Sequence, residues 1–444
     1  MKQLLAYCLS IILCVSFTGC MENYLDLYPE DKITSASFPE NESDIKLLLN
    51  GVYAQLREKE VYNQGLFGFG ITDGATPNAF NWGTDEVFNK LGAGRLSSSD
   101  GGVVTYRWKR CYEIISRANY LLACMDLVDL SEEAKAKYSG ETHFLRGLAY
   151  SVLAETYGGV PIILTDISTE EARSLKRASL EETWQQALDD YEVAITNLGV
   201  DAPEPGRATK GAALGMKMRA YLYQGKYKEV LSCVEQIDAL KKYGLFHSYE
   251  GLFDPANENN KEVLFDIQYI EGENSQGSYI DQYCGTGTGS WTRGSRYVPT
   301  DDLVAAYETI DGSPVDPENP YENRDPRLGF TAVLPGSYFL GYRFPNYLYP
   351  GGAFNHAGNR LKHLSTRKYR IQDESKLPPS GQSYINDIIL RYADVLLSKA
   401  EAIIETNGNV ADAIAILNRI RTERDDVKIS LLPTSMSREE AREK

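Results

Sequence analysis

Apolar residues recur at three- and four-residue spacing through much of the chain, and the period vanishes in two long stretches. Residues 44–56 place Ile45, Leu48, Leu49, Val52, Tyr53 and Leu56 on one helical face. Residues 104–127 do the same with Trp108, Tyr112, Ile115, Ala118, Asn119 and Leu122. A helix starting near Ser131 carries Leu145, Leu148, Ala149, Val152 and Leu153 on one face. It should stop at Gly158-Gly159, ahead of an apolar extended exit, Val160-Pro161-Ile162-Ile163-Leu164. Ser179-Leu-Glu-Glu182 is a capping box that launches Trp184, Leu188, Tyr191 and Ile195. Two helices, 208–224 and 226–241, meet at Gly225 and span about 34 residues, the length of a tetratricopeptide unit. The period returns at 388–406 and 410–423, and Ser437-Arg-Glu-Glu440 announces one more helix.

Between these runs, residues 57–102 carry glycines and aromatics without a sustained period. Residues 243–384 lose the helical period too, apart from a predicted strand at Val263-Leu-Phe-Asp-Ile267. The pattern predicts a mostly α chain of tetratricopeptide-like helix pairs. They form a scaffold over 43–242 and 385–444 of a single domain, 43–444. The loop-rich insertion, 243–384, carries short strands. Insertions on one face of such a scaffold commonly hold the ligand site.

The first residues belong to targeting rather than fold. Lys2 precedes an apolar stretch from Leu4 to Phe17, too short to span a bilayer comfortably. Phe17-Thr18-Gly19-Cys20 looks like a bacterial lipobox, which makes 1–19 a signal peptide and Cys20 the lipidation site. Residues 20–42 then form an acidic tether. An ordinary secretory cleavage beside a chance cysteine is the alternative.

The 444 residues include 46 Lys and Arg against 62 Asp and Glu, a formal charge of −16. That opposes nucleic acid and an anionic membrane surface as partners, and leaves neutral sugars and basic proteins open. Of seven cysteines, Cys111, Cys124, Cys233 and Cys284 remain after the signal and the lipid site. None forms a CxxC pair, and their spacing does not choose a disulfide.

Catalytic constellations are missing from the sequence. The four histidines, His143, His247, His356 and His363, make no metal-binding pattern. Gly285-Thr-Gly-Thr-Gly289 lacks the lysine and helix of a phosphate loop. Asp301-Asp302 and Glu439-Glu440 read as helix N-terminal charges rather than acid/base pairs. No enzyme, metal or cofactor is expected.

A sugar binder needs flat rings to stack on a pyranose, with polar groups beside them for its hydroxyls. The chain holds 30 Tyr against 14 Phe. Trp108 and Trp184 lie on helix faces and read as core. Trp82 and Trp291 lie in Gly-rich loops that no helical face explains. They either contact a ligand or cover the insertion's own small core. The candidate ligand residues are Asp73, Asn81, Trp82, Trp291, Arg296, Tyr297, Tyr338, Tyr342 and Arg343.

Several blocks, taken in order, resemble the SusD/RagB outer-membrane lipoproteins of Bacteroidetes. They are the lipobox with Tyr24-Leu-Asp-Leu27, Leu49-Asn-Gly-Val-Tyr-Ala-Gln-Leu56 and Phe144-Leu-Arg-Gly-Leu-Ala-Tyr150 into Tyr157-Gly-Gly-Val-Pro161. Ala208-Thr-Lys-Gly-Ala212, Asp325-Pro-Arg327, Arg367-Lys-Tyr369 and Arg391-Tyr-Ala-Asp-Val-Leu-Leu397 continue the series. The resemblance implies a right-handed superhelix of four tetratricopeptide-like pairs. It also implies a non-catalytic, lipid-anchored, surface-exposed outer-membrane protein that captures nutrient oligosaccharides or peptides. Its partner would be a SusC-like TonB-dependent transporter. Family members usually continue past the Arg-Glu-Glu helix, whereas this chain stops at Lys444, so its C-terminus reads as short for the family. A tetratricopeptide-type adaptor for a peptide or protein is the other open function. The glycan's identity and a role for calcium stay open.

Overall fold

The computed structural model describes residues 38–57, 73–81, 90–272, 277–278, 280, 297–340, 342–343, 354–356, 359–361, 364–379 and 382–444. The Cys20 lipobox, Trp82, Trp291, Arg296, Cys284 and the 285–289 glycine run lie outside the described residues.

Eight longer helices stack in chain order. Helix α1 is Glu42–Tyr53, capped by the Asn41 side chain, and α2 is Val103–Cys124. Helix α3, Glu132–Tyr157, starts at Ser131. A short α4, Thr169–Ser174, opens with its own capping box, and α5 is Leu180–Asn197 with the box at Ser179. Helices α6, Lys210–Tyr223, and α7, Tyr227–Ala239, form the pair predicted around Gly225. After the insertion come α10, Tyr392–Glu405, α11, Val410–Thr422, and α12, Arg438–Arg442, which carries the Ser437 capping box. Neighbours pack in the sequence α1–α2–α3–α5–α6–α7–α10–α11. This is a tetratricopeptide-like superhelix.

Helix α3 is more deeply set than one apolar face implies. From Gly140 to Ala154 almost every residue is buried, Glu141 and Arg146 included. The helix lies between α2 and α5 and also touches α1 and α6, so it has no solvent face over that span. Its polar groups are therefore satisfied inside. Arg146 donates to both oxygens of Asp190, at 2.7 and 3.0 Å, and to Asn119 Oδ1 at 2.8 Å. His143 Nδ1 lies 2.7 Å from the same carboxylate. The Asp190 carboxyl is held below its ordinary value: burial opposes this, and His143 and Arg146 outweigh burial. This His–Asp–Arg cluster is structural, joining α3 to α5.

The helix stops where the two glycines predict, but not in the usual left-handed cap. Gly158 takes φ 77° and ψ −138°, open only to glycine. At Gly159 an added Cβ would lie 2.0 Å from the Ala178 carbonyl, so the chain passes hard against the entry to α5. The extended exit is then fixed by Tyr150, whose hydroxyl donates to the Ile163 carbonyl at 2.9 Å and accepts from the Ile163 amide at 2.7 Å. Trp184 is buried as predicted, and Trp108 packs against Tyr112 and Tyr157 at 5.0 and 5.2 Å between ring centroids. Cys111, Cys124 and Cys233 are free and buried.

The sequence expectation of a helix from 388 needs correcting. Strand β10, Asp387–Arg391, pairs antiparallel with β2, Val263–Ile267, and α10 begins only at Tyr392. The adjacent β-branched Ile388 and Ile389 favour the strand once a partner edge is present. The predicted strand at 263–267 is that partner. Within the insertion, α8, Asp301–Ala306, and α9, Pro326–Thr331, are short, and Asp301 and Asp302 occupy the first turn of α8 as predicted. The remaining strands pair two by two.

Two buried carboxylates anchor the base of the insertion. Glu262 is fully buried and accepts from Arg424 at 2.7 Å, Arg391 at 2.9 Å and the Phe246 amide at 2.7 Å. Its pKa is lowered: burial opposes this, and the two guanidiniums prevail. Asp266 has no cation. Gln268 and Asn386 donate to it at 2.7 and 3.2 Å, and Asn386 also links to Glu258, through its amide at 2.7 Å. Burial pushes Asp266 up to about 6 and Glu258 up to about 7.

Glu262→Ala leaves Arg424 buried without its counter-charge and should cost about 3–5 kcal/mol in urea unfolding; a loss under about 1 kcal/mol would refute this role. For Asp266 the raised folded pKa means the folded state holds the proton longer than the unfolded one. Its contribution is therefore greatest at low pH and declines as pH rises from about 4 through 6. Asp266→Asn should gain on the wild type across that window, by up to about 3 kcal/mol between pH 4 and 7. Parallel pH profiles for the two proteins would contradict the assignment.

Candidate functional site

The first period-free loop and the insertion meet in a short ladder. Residues 73–75 form a 3-10 turn, and Thr76 Oγ1 donates to the Asp73 carbonyl at 2.7 Å. The chain then enters β1, Ala79–Asn81, which pairs antiparallel with β3, Tyr297–Pro299. The partners are Ala79 with Pro299, Phe80 with Val298, and Asn81 with Tyr297. Ala79 and Val298 are buried beneath the ladder. Pro299 lacks an N–H, which a strand tolerates at its edge. Thr300 clamps the end: its amide donates to the Asn78 carbonyl at 3.1 Å and its hydroxyl to the Pro77 carbonyl.

Of the sequence-predicted site residues, the ladder thus brings Asn81 and Tyr297 side by side through their backbones. Trp82 follows Asn81 directly and Arg296 precedes Tyr297 directly, so both enter the ladder's same end by covalent connection. With Trp291, these residues lie outside the described ones.

Strand β3 rests against β9, Ser365–Thr366, which pairs with β4, Ala332–Val333. From β4 the chain runs into a hairpin of β5, Tyr338–Phe339, and β6, Tyr342–Arg343. Phe339 and Leu340 pack on Val333 and Leu377. Tyr338 points outward, 67% exposed, with the Arg343 guanidinium 6.0 Å from its ring centroid. An exposed ring with an arginine at its face is a stacking surface with a donor beside it. Arg367, immediately after β9, lies over the Phe339 ring at 5.7 Å. The buried β9 thus links the β1–β3 ladder to β4 and so to the segment that carries the β5–β6 hairpin.

Beside Arg367 opens a cleft of about 670 Å³ that sequence reasoning missed. Phe253, Phe330, Tyr369 and Tyr384 supply its rings, and Arg367, Lys368, Arg370 and Lys376 its cations. The volume lies within the range of small-ligand sites. The turn at 367–370 is held by the Arg367 amide, which donates to the Thr331 carbonyl at 2.8 Å. It puts Tyr369 at φ +59°, a left-handed conformation uncommon for an aromatic residue. Tyr369 meets Phe253 edge-on at 4.8 Å, and burial raises its pKa, with the Asp73 carboxylate among the smaller contributors. Asp73 is exposed near this ring, so a predicted site residue and the unpredicted cleft adjoin. Arg367–Lys-Tyr369 is visible in the sequence, but nothing in it says that Phe253 and Tyr384 come to the same place.

Among the described residues no group of three or more His, Cys, Asp or Glu could hold a metal ion. Among them, too, no helix is long and apolar enough to cross a membrane. Of the histidines, His356 lies in strand β7, Phe354–His356, paired with β8, Asn359–Leu361, and His363 lies outside the described residues.

A tetratricopeptide-like scaffold that presents an aromatic patch and cleft from its loops defines a class of helical binding protein. Comparison with known proteins makes the class specific. The SusD family model matches residues 261–426, and a second model, described as starch-binding and associating with the outer membrane, matches residues 23–222. The chain belongs to the SusD/RagB family. A SusD-like protein of Formosa agariphila is 26% identical over 457 residues, covering 95% of this chain and 81% of that protein. A solved SusD-like carbohydrate binding protein of Bacteroides fragilis aligns at 26% identity with a TM-score of 0.79, over 90% of this chain and 82% of its own. Surface glycan-binding protein A of Bacteroides uniformis, at 17% identity and a TM-score of 0.71, shares the fold over 90% of this chain and 83% of its own.

Proposed function

We propose that this chain is a non-catalytic surface lipoprotein that binds nutrient oligosaccharides and hands them to a SusC-like TonB-dependent transporter. The observation that carries the reading is the β1–β3 ladder, which joins the Trp82 loop to the Trp291–Tyr297 segment. Two tryptophan-bearing loops tied together beside an exposed Tyr338–Arg343 hairpin suit a sugar, whose ring faces are apolar and whose edges are hydroxylated. Family membership and the printed carbohydrate-binding description of the Bacteroides fragilis relative support the same ligand class. The outer-membrane description of the matched family model supports the location. The lipid at Cys20 would be the attachment.

Asp73, Asn81, Trp82, Trp291, Arg296, Tyr297, Tyr338, Tyr342 and Arg343 are the residues proposed to contact the glycan. An adaptor for a peptide would instead use the concave helical face and need neither tryptophan. Trp82→Ala and Trp291→Ala should each keep the fold and weaken binding by about 1–3 kcal/mol in titration calorimetry, after a glycan panel identifies a ligand. Unchanged affinity in both variants would remove the loops from the site. Mass spectrometry of the protein extracted from its native membrane should find a diacylglyceryl group on Cys20. An unmodified cysteine would sink the anchor, and copurification with an outer-membrane barrel tests the partner separately.

A further inference from the structure

The cleft beside the ladder contains a lysine that forms no ion pair among the described residues. Lys368 Nζ lies 4.4 Å from the centroid of the Phe253 ring, 5.3 Å from Tyr369 and 5.8 Å from Tyr249. Among the described residues no carboxylate is within ion-pair distance of it. Other cations lining the cleft have partners of their own. Arg367 is paired with Glu250 at 2.6 Å and Lys376 with Asp373 at 3.8 Å. Asp254 accepts from the Ala256 amide at 2.8 Å, and Glu271 is exposed at the rim.

The charge of Lys368 also acts on the ring beneath it. Burial alone would raise the phenol of Tyr249, yet it is held below its ordinary value, chiefly by Lys368 and Arg391, then by a hydrogen bond from Thr331 and by Arg327. Burial raises the pKa of the neighbouring Tyr307 and Tyr369 instead. Lys368 thus presents a positive charge at the Phe253–Tyr369 wall of a cleft whose Tyr384 lies near Glu271, Asp254 and Asp373. The left-handed Tyr369 adds a local backbone strain of a kind that gathers at ligand clamps.

We infer that the cleft is a subsite for an acidic sugar residue, whose carboxylate or sulfate group sits on the Lys368 ammonium while its ring lies against Tyr369 and Phe253. This rests on the chain being a glycan binder, and it names a substrate class, anionic saccharides, for the cleft that Lys368 lines. The net charge disfavours long polyanions, so a short or sparsely charged chain entering end-on fits best.

The test uses three probes on the full chain by titration calorimetry: a galacturonate trisaccharide, its neutral methyl ester, and a sulfated galactan disaccharide. At least one anionic probe should bind more tightly than the ester, and its binding should weaken as salt rises. Lys368→Met keeps the apolar stem over the rings and should lower the affinity for that probe roughly 10- to 100-fold. Lys368→Arg should retain much of it, and thermal melts check that both variants fold. Which anionic probe responds distinguishes carboxylate from sulfate. Failure of both anionic probes to bind, or binding that Lys368→Met leaves unchanged, overturns the inference. If the Trp82 and Trp291 variants abolish saccharide binding while Lys368→Met does not, the general glycan reading stands and this one falls. If only Lys368 matters, the tryptophan-loop site falls instead.

Discussion

Everything that the insertion presents depends on one buried carboxylate. Glu262 stands where the chain enters β2, and its own carbonyl accepts the amide of Tyr392, the first residue of α10, at 2.8 Å. Its side chain holds Arg391 at the end of β10 and Arg424 just beyond α11. Arg424 in turn donates to the Phe246 carbonyl at 2.7 Å, fixing the segment that follows α7. Four pieces of chain, two of them already paired as β2 and β10, thus share a single charged hub. Apolar packing alone would allow the insertion to slide on the helices. A two-arginine, one-amide coordination of one side chain does not, because each donor has a direction and the site is dry.

On that base the molecule divides its labour by secondary structure. The helices use their side chains on each other. Helix α3 is so enclosed that even Arg146 and Glu141 are spent on neighbours, Asp190 and Tyr53 among them. The loops keep their aromatic and charged groups for the surface. The linkage between the two loop systems is made of backbone pairing, clamped by Thr300, and it ends at the positions from which Trp82 and Arg296 depart. Apposed loops of this kind suit a ligand that offers two faces rather than one reactive atom.

How much of this was legible beforehand follows the range of the interactions. Local signals performed well. The capping boxes at Ser179 and Ser437, the stop at Gly158-Gly159 and the helix pair around Gly225 all act within a few residues. The misassigned start of the helix at 388 has the opposite cause. Ile388 and Ile389 suit either period, and only β2, far away in sequence, decides in favour of a strand. The site was half legible for the same reason. Loop position singled out Asp73, Asn81, Tyr297, Tyr338 and Arg343; the structure pairs Asn81 with Tyr297 in one ladder and Tyr338 with Arg343 in one hairpin. The cleft was not legible, since Phe253, Phe330, Lys368 and Tyr384 come from separate segments and share no spacing that a linear pattern can display.

The β1–β3 ladder also bears on how such a protein can change. Its partners are main-chain groups, so almost any side chain may occupy the six paired positions' outer face without unfastening it. What lies beyond Asn81 and before Tyr297 can then be lengthened, shortened or rewritten while the take-off points stay fixed in space. Selectivity becomes a matter of exchangeable cassettes on a conserved socket, much as immune receptors diversify loops on an unchanging frame.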